Sequence, residues 1–195
     1  LDLFYYHVDD RTVPLEVQLE TMAKLTQSGK VRYIGASNFK AWRLAEASAV
    51  SAAHDYPAFC CVQQRYTYLR PRVDASFNAQ ISANDDLLEF CRERNLQLVA
   101  YSSLLGGAYS RDDRKIPWQY RHADTDIRRA TLVETAKELG ATPNQLLLAW
   151  LTGRGIIAVT GASTEAQMKE SLAAFDLSLS DAILDRLDAA GATAP

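Results

Sequence analysis

A chain of 195 residues can bury the core of one domain, and its 48% hydrophobic and 23% charged residues are typical of a globular protein. The net charge of −3 comes from 21 basic and 24 acidic residues spread along the sequence, which argues against a nucleic-acid-binding face. No apolar run approaches the roughly 18 residues that a membrane-spanning helix needs.

The three cysteines, Cys60, Cys61 and Cys91, form an odd set without the spacing of metal ligands. Adjacent residues of a strand point to opposite faces, so we do not expect Cys60 and Cys61 to pair with each other. A reducing, cytoplasmic setting fits this cysteine usage best. The chain begins at Leu1 and enters at once a strand that we predict to be buried, which indicates a sequence entered part-way through a fold.

The apolar pattern predicts strands that alternate with helices. Strands are predicted at 1–6, 31–36, 58–66, 96–103 and 156–160. Helices are predicted at 14–29, 40–55, 85–95, 125–139, 143–153, 164–175 and from 180 onward. This order predicts a single α/β domain over 1–195, with a parallel sheet that is either open or most of a barrel.

Two sequence patterns mark helix starts in the second half of the chain. Thr142-Pro-Asn-Gln145 is a capping box with proline at the first helical position, and Thr164-Glu-Ala-Gln167 is a second capping box. Between the fourth strand and the helix predicted at 125–139 lies an irregular, charged segment at 106–124. Long loops in compact domains are usually functional or mobile.

Polar and aromatic residues follow the predicted strands, at the edge where ligands bind in parallel α/β proteins. These residues are His7, Ser37, Asn38, Gln63, Gln64, Tyr101, Ser102, Gly161 and Ser163. Each has a simpler interpretation on its own. Ser37 or Asn38 can cap the next helix, and His7 can be a hydrogen-bonded structural histidine. Gln63 can satisfy a loop backbone, while Tyr101 can fill the core.

Together these residues favour a nicotinamide dinucleotide. Ser37, Asn38 and Gln63 can form hydrogen bonds with the amide of a nicotinamide. Tyr101 offers a flat ring for stacking, and Gly161 precedes a helix whose N-terminus favours a phosphate. The sequence lacks a Gly-x-Gly-x-x-Gly turn, so a Rossmann domain has no support.

Several segments in order resemble the C-terminal part of an aldo-keto reductase. They are Asp2-Leu-Phe-Tyr-Tyr-His-Val-Asp, Gly29-Lys-Val-Arg-Tyr-Ile-Gly-Ala-Ser-Asn-Phe, Val62-Gln63 with Tyr66, Ala100-Tyr-Ser-Ser-Leu, and Thr142-Pro-Asn-Gln with Ala149-Trp150. The resemblance covers nearly all of the chain and implies a partial (β/α)8 TIM barrel. Its five parallel strands would be strands four to eight, with the first three βα units missing.

The resemblance also implies roles for single residues, in a family that reduces carbonyls with NADPH. His7 would orient the substrate carbonyl, while Ser37, Asn38 and Gln63 would hold the nicotinamide carboxamide. The remaining implied cofactor contacts are ring stacking by Tyr101, pyrophosphate contacts by Ser102 and Leu104, adenosine 2′-phosphate and adenine contacts by Gly161, Ser163, Gln167 and Glu170, and phosphate clamping by Arg111 and Arg121. Lys169 is the only basic residue near Gln167, so NADH is not excluded as the cofactor.

The family's catalytic aspartate, tyrosine and lysine belong to the three βα units that the resemblance leaves out. The resemblance therefore implies an oxidoreductase segment that carries most of a cofactor site and only His7 of the catalytic set, with a small carbonyl compound as substrate. Charge and hydropathy predict neither nucleic acid nor membrane as a partner. The alternatives are a non-catalytic nucleotide-binding or regulatory subunit of the same fold, or an inactive fragment. Five unclosed parallel strands also leave bare edges, for which we expect self-association or poor solubility.

Overall fold

The computed structural model describes residues 1–111 and 113–191. Contacts between residues divide the chain into two compact units, each assembled from two stretches of sequence. The first unit contains Leu1–Arg65 and Phe77–Val99, and the second contains Tyr66–Ser76 and the chain from Ala100 onward.

All of the predicted strands and helices are present, with ends that differ by a few residues. The strands are β1 (Leu3–Tyr6), β2 (Tyr33–Ser37), β3 (Cys61–Arg65), β4 (Gln97–Tyr101) and β5 (Ile157–Ala158). The helices are α1 (Leu15–Gln27), α2 (Ala41–His54), α3 (Asp85–Glu93), α4 (Ala123–Glu138), α5 (Pro143–Gly153), α6 (Glu165–Leu172) and α7 (Asp181–Ala189). Short 3-10 helices occur at Leu105–Gly107, Trp118–Tyr120 and Ala173–Asp176.

The strands lie side by side in chain order, β1-β2-β3-β4-β5. In the first unit, β1 pairs parallel with β2, and β2 pairs parallel with β3 so that Ser37 lies opposite Gln63. A hydrogen bond from Gln97 N to Cys60 O, 3.3 Å long, adds β4. In the second unit, Val159 N donates to Ala100 O at 2.8 Å beside the end of β4. The five parallel strands do not close into a barrel within the part of the chain that the structure describes.

The prediction that β1 is buried is wrong. Leu3 and Phe4 are 37% and 39% exposed, and Leu1 is 78% exposed. Their apolar pattern is that of a central strand, yet β2 is the only neighbour of β1 among the described residues. A strand needs elements on both sides to bury such side chains, and composition alone does not show whether they are present.

The core of the first unit is built on β2 and on the inner face of α1. Ile34 and Ala36 are almost fully buried, and so are Leu19 and Met22 of α1. Gly35 lies between Ile34 and Ala36 in β2, and a Cβ added there would be 2.8 Å from both the Tyr5 ring and Cys61 Sγ. The absence of a side chain at this position is therefore what allows β1, β2 and β3 to pack together.

The second unit packs around α5, whose residues from Leu146 to Leu151 are all buried. Beside it, the Arg128 guanidinium of α4 is 3% exposed. It donates to Tyr68 O at 3.0 Å and to Ala190 O at 2.6 Å, and it lies 4.1 Å from the centre of the Tyr68 ring. Burial lowers the pKa of Arg128. This buried cation fastens the end of α7 through main-chain carbonyls.

The two predicted capping boxes have different outcomes. Thr142 Oγ1 accepts from Gln145 N, and Gln145 Oε1 accepts from Thr142 N, so the first box is confirmed. At α6, Thr164 Oγ1 accepts from Gln167 N, but Gln167 Oε1 accepts from Ser163 N. The second box is therefore only half formed, because the glutamine side chain reaches one residue further back.

Candidate functional site

The ends of the first three strands hold four of the predicted site residues together. Ser37 Oγ donates to Gln63 O at 2.9 Å. Asn38 Nδ2 donates to His7 O at 3.0 Å and to Ser37 Oγ at 3.1 Å. These bonds join the ends of β1, β2 and β3 in one polar cluster, which we call the strand-end cluster: His7, Ser37, Asn38 and Gln63.

Asn38 makes most of the side-chain hydrogen bonds that hold the strand-end cluster together. Its φ of 59° ends β2 in the left-handed region, which asparagine tolerates better than most residues. Its Oδ1 accepts from Ile81 N at 3.1 Å, and both Nδ2 donors are engaged. The alternative that Ser37 or Asn38 caps the next helix is wrong, because the N-cap of α2 is Lys40, which makes no side-chain capping bond.

Two side chains of the cluster remain available to a ligand. The His7 imidazole is exposed and the Gln63 amide is half-buried, and neither has a hydrogen-bond partner among the residues described. The neighbouring Gln64 differs, because it is fully buried and donates from Nε2 to Phe39 O at 2.8 Å. Gln64 is therefore structural, whereas Gln63 can donate and accept at the cluster surface.

The loop after His7 is held by charged groups. The Asp9 carboxylate, 4% exposed, pairs with Arg43 of α2 at 3.2 Å and with Arg11 at 3.1 Å. The Arg11 guanidinium lies 4.8 Å from the centre of the Trp42 ring. A nearly buried carboxylate with two guanidinium partners restrains the segment that carries His7.

At the end of β4, in the second unit, Tyr101 is half-buried and its carbonyl accepts from Tyr66 N at 3.2 Å. The chain then turns sharply, with Ser102 O accepting from Leu105 N at 3.1 Å and Leu104 O accepting from Gly107 N at 2.9 Å. Ser102 and Leu105 have φ of 56° and 48°, in the left-handed region that is costly for residues other than glycine. Strained turns of this kind occur often at binding sites.

Arg111 and Arg121, the two predicted phosphate clamps, line the same cavity in the second unit. Its volume is about 320 Å³, and we call it the cationic cavity; its lining residues are Arg111, Arg114, Lys115, Ile116, Arg121 and Arg129. Arg111 pairs with both carboxylate oxygens of Asp113, at 2.9 and 2.6 Å, and holds the pKa of that carboxyl below its ordinary value. Arg121 Nε donates to Ile116 O at 2.6 Å.

Three of these cations were not among the predicted site residues. Arg114 and Lys115 belong to the mixed-charge run Arg111-Asp-Asp-Arg-Lys115, so the clustering of charged residues was a usable signal. Arg129 lies two turns into α4, where its position in the sequence gives no such indication.

The predicted phosphate site at the start of α6 is largely occupied by the protein's own groups. Gln167 Oε1 accepts from Ser163 N at 2.7 Å, and Glu170 Oε1 accepts from Thr142 Oγ1 at 2.7 Å. Glu170 thereby ties α6 to the N-terminus of α5. Gly161 remains open, since an added Cβ would meet nothing within 4 Å.

Other site types have no support in the described part of the chain. Residues 1–111 and 113–191 contain no group of three or more metal-ligating side chains. Their helices also include none with the length and hydropathy to span a membrane.

Comparisons with known proteins agree on one family. The model of the Aldo/keto reductase family matches residues 1–192. "Aldo-keto reductase yakc [NADP(+)]" of Schizosaccharomyces pombe (strain 972 / ATCC 24843) is 30% identical, over 96% of this chain and 56% of the relative. "Aldo-keto reductase str7" of Strobilurus tenacellus is 30% identical, over 93% of this chain and 55% of the relative.

A solved structure shows the same fold. The crystal structure of the thermostable aldo-keto reductase Tm1743 in complex with the inhibitor epalrestat superposes with a TM-score of 0.74 at 30% identity. It is matched over 97% of this chain and 59% of its own length. This chain thus spans just over half the length of the curated relatives that it matches. With the family model matched over residues 1–192 and two relatives at 30% identity, the chain belongs to the aldo-keto reductase family.

Proposed function

We propose that this chain carries most of the cofactor site of an NADP-dependent oxidoreductase that reduces an aldehyde or ketone to an alcohol. The observation that carries the proposal is the strand-end cluster, in which Asn38 and Ser37 hold three strand ends together while the Gln63 amide and the His7 imidazole stay available. The S. pombe relative is itself named an NADP(+) enzyme, which supports the choice of cofactor.

In the first unit, we assign the nicotinamide carboxamide to Ser37, Asn38 and Gln63. Gln63 fits this role best, because a half-buried amide without a described partner offers both a donor and an acceptor. Ser37 and Asn38 already serve each other and the main chain, so they would chiefly keep Gln63 and His7 in position. His7 would orient the substrate carbonyl, a positioning role that lowers the barrier of carbonyl chemistry.

In the second unit, Tyr101 would stack on the nicotinamide ring, while Ser102, Leu104, Arg111 and Arg121 would contact the pyrophosphate. For the adenosine end we propose Gly161, Ser163, Gln167 and Glu170. Gly161 has the open surroundings that a ligand needs, whereas Gln167 and Glu170 would first have to release Ser163 and Thr142. NADH is the alternative cofactor, because Lys169 is the only basic residue near Gln167 in the sequence.

A bound nicotinamide would supply the hydride, and the protein would supply position and a proton. His7 is the single residue of this chain to which we assign a catalytic role. The family's proton-donating tyrosine and its aspartate and lysine partners belong to the first three βα units, which we do not find in this sequence. We therefore expect little or no turnover from the 195-residue chain. Robust NADPH-dependent carbonyl reduction by this chain would contradict that expectation.

The proposal is tested by titrating the chain with NADPH and with NADH while following intrinsic fluorescence. We expect saturable binding, which Tyr101→Ala and Gln63→Ala each weaken about tenfold, the usual loss for one stacking or hydrogen-bonding group in a binding site. Tyr33→Ala is the matched control, because Tyr33 is 61% exposed and no role is assigned to it. Failure of both nucleotides to bind, or equal weakening by Tyr33→Ala, would refute the proposed site.

The alternative is a binding or regulatory protein of the same fold, or an inactive fragment. The occupation of Ser163, Gln167 and Glu170 by contacts within the protein is the observation that favours it. The coding sequence upstream of Leu1 separates the two. In-frame βα units with an aspartate, a tyrosine and a lysine would favour the enzyme, and a start codon next to Leu1 would favour the binding protein or remnant.

A further inference from the structure

Two of the three cysteines bring their sulfur atoms together at the start of β3. Cys60 Sγ lies 3.9 Å from Cys61 Sγ, and Cys61 Sγ donates to Tyr5 Oη at 3.4 Å. The alternation of strand side chains does not separate the two thiols, because β3 begins only at Cys61 and Cys60 lies in the bend before it. The sequence-based reason for keeping these two cysteines apart therefore does not apply, and both thiols are free.

The two thiols differ in their access to solvent. Cys60 is exposed, whereas Cys61 is 3% exposed and burial raises the pKa of its thiol to about 11. A Cβ added at Gly35 would be 2.8 Å from Cys61 Sγ, which shows how closely β2 encloses this sulfur. An oxidant from solution can therefore reach Cys60 and not Cys61, while the Cys61 thiol lies beside any product that forms on Cys60.

We propose that Cys60 and Cys61 are a reversible oxidation site, at which a hydroperoxide converts the two thiols into a disulfide between neighbouring residues. In the first step, the Cys60 thiolate attacks the peroxide and the O–O bond breaks. Cys60 becomes a sulfenic acid, and the leaving oxygen takes up the proton that the Cys60 thiol released. In the second step, the Cys61 sulfur attacks the Cys60 sulfur and the S–O bond breaks. The hydroxyl leaves as water with the proton of the Cys61 thiol, so the peroxide gains the two electrons that the cysteines lose.

The geometry of neighbouring residues makes such a disulfide easy to reduce. Adjacent residues hold their Cα atoms about 3.8 Å apart, closer than most disulfides allow. Strained and accessible disulfides exchange readily with small thiols, which would restore both cysteines. The inference rests on these two thiols alone and does not require the proposed cofactor site.

The main chain at Cys60 connects the oxidation site to the sheet of the first unit. Cys60 N donates to Ile34 O at 2.9 Å, and Cys60 O accepts from Gln97 N at 3.3 Å. The chain has to bend at residues 60–61 to close the disulfide, which weakens these two bonds. We therefore expect oxidation to loosen the pairing of β3 with its neighbouring strands.

The experiment treats the full 195-residue chain with hydrogen peroxide and maps its peptides by mass spectrometry without reduction. We expect the peptide that contains both cysteines to lose the mass of two hydrogen atoms, and dithiothreitol to restore it. Cys60→Ser should abolish this loss, because the exposed thiol takes the first step. Cys61→Ser should leave the sulfenic acid on Cys60, where dimedone traps it far more than in the wild type. Cys91→Ser is the matched control and should change nothing, because Cys91 is buried in α3.

Thermal unfolding supplies a second readout. The melting temperature of the wild type should fall on oxidation and recover with dithiothreitol, whereas Cys60→Ser should melt at one temperature with and without peroxide. Equal trapping of sulfenic acid in the wild type and in Cys61→Ser would overturn the inference, since Cys61 would then not act on Cys60. A disulfide between two chains, seen as a doubled mass without reductant, would overturn it as well. If Cys61→Ser fails to fold, the peptide map of the wild type still decides, because it detects the disulfide directly.

Discussion

Asn38 joins local conformation to the arrangement of three strand ends. Its left-handed backbone turns the chain out of β2, and its side chain then reaches His7, Ser37 and Ile81. Few other residues combine tolerance of that backbone with an amide that donates twice and accepts at the same time. The conformation and the hydrogen bonds of this residue therefore depend on each other.

We expect Asn38→Ala to reduce the free energy of unfolding by about 2–4 kcal/mol, because it leaves buried partners unsatisfied and places alanine in a left-handed conformation. Urea unfolding followed by far-UV circular dichroism measures this loss. Asn38→Gly is the matched control, since it removes the same hydrogen bonds but accepts the backbone, and it should recover about 1 kcal/mol. Equal losses of unfolding free energy from the two variants would show that the left-handed backbone at position 38 adds nothing to the cost of Asn38→Ala.

At the scale of elements, α7 depends on a buried cation from α4. Arg128 donates to Asp188 O and Ala190 O, two carbonyls that the end of α7 leaves open, and also to Tyr68 O. An exposed pair, Arg186 with Glu138, also joins α7 to α4. The Arg128 contacts are buried and the Arg186 pair is exposed, so substitutions at the two arginines compare a buried cation with a surface cation between the same two helices.

Arg128→Met should lower the unfolding free energy by about 2–4 kcal/mol, because the buried carbonyls lose their donor. Arg186→Met should cost much less, since water replaces an exposed ion pair at little expense. Trp150 fluorescence follows both, because its indole Nε1 donates to Asp188 at the end of α7. A loss from Arg186→Met as large as that from Arg128→Met would contradict the difference in burial.

The elements were predictable from sequence where local chemistry decides them. The spacing of Leu15, Leu19 and Met22 predicted α1, and Thr142 with Gln145 predicted the start of α5. The exposure of β1 was not predictable, because it depends on which elements surround the strand. The second capping box did not form completely for a related reason. Gln167 Oε1 accepts from Ser163 N instead of Thr164 N, and the sequence does not show which of these two donors the loop places closer.

The candidate site was predictable in part for the same reasons. Strand ends in a parallel sheet meet at one edge, which brought Ser37 and Gln63 into the prediction before their contact was known. The cationic cavity depends on the folding of an irregular loop against a helix, and no periodic pattern describes such a loop. Arg129 was therefore missed, although Arg111 and Arg121 were not.

At the scale of the whole molecule, the chain alternates between its two units. It leaves the first unit after Arg65, enters the second for Tyr66–Ser76, and returns to the first at Phe77. Each unit is thus made of segments that are distant in sequence, and a single cut in the chain cannot release either of them intact. Limited proteolysis is therefore a poor way to isolate the strand-end cluster from the rest of the protein.

The exposed side chains of β1 predict self-association of the 195-residue chain. Leu3 and Phe4 present apolar surface on a strand with one described neighbour, and such edges pair readily with another copy. Light scattering coupled to size exclusion should show a mass that rises with concentration. Phe4→Lys should reduce this rise, whereas Val73→Lys, at an exposed apolar residue outside the strands, should not. A concentration-independent monomer mass would refute the expectation.

The close packing at Gly35 has a consequence for how this sequence can change over generations. Any side chain there would collide with both Tyr5 and Cys61, each on a different neighbouring strand. Replacement of Gly35 alone therefore forces the Tyr5 ring and Cys61 Sγ to move, whereas a smaller residue at Cys61 removes one of the two collisions. We therefore expect substitutions at positions 5, 35 and 61 to occur together among descendants of this sequence, because the three positions share one space between β1, β2 and β3.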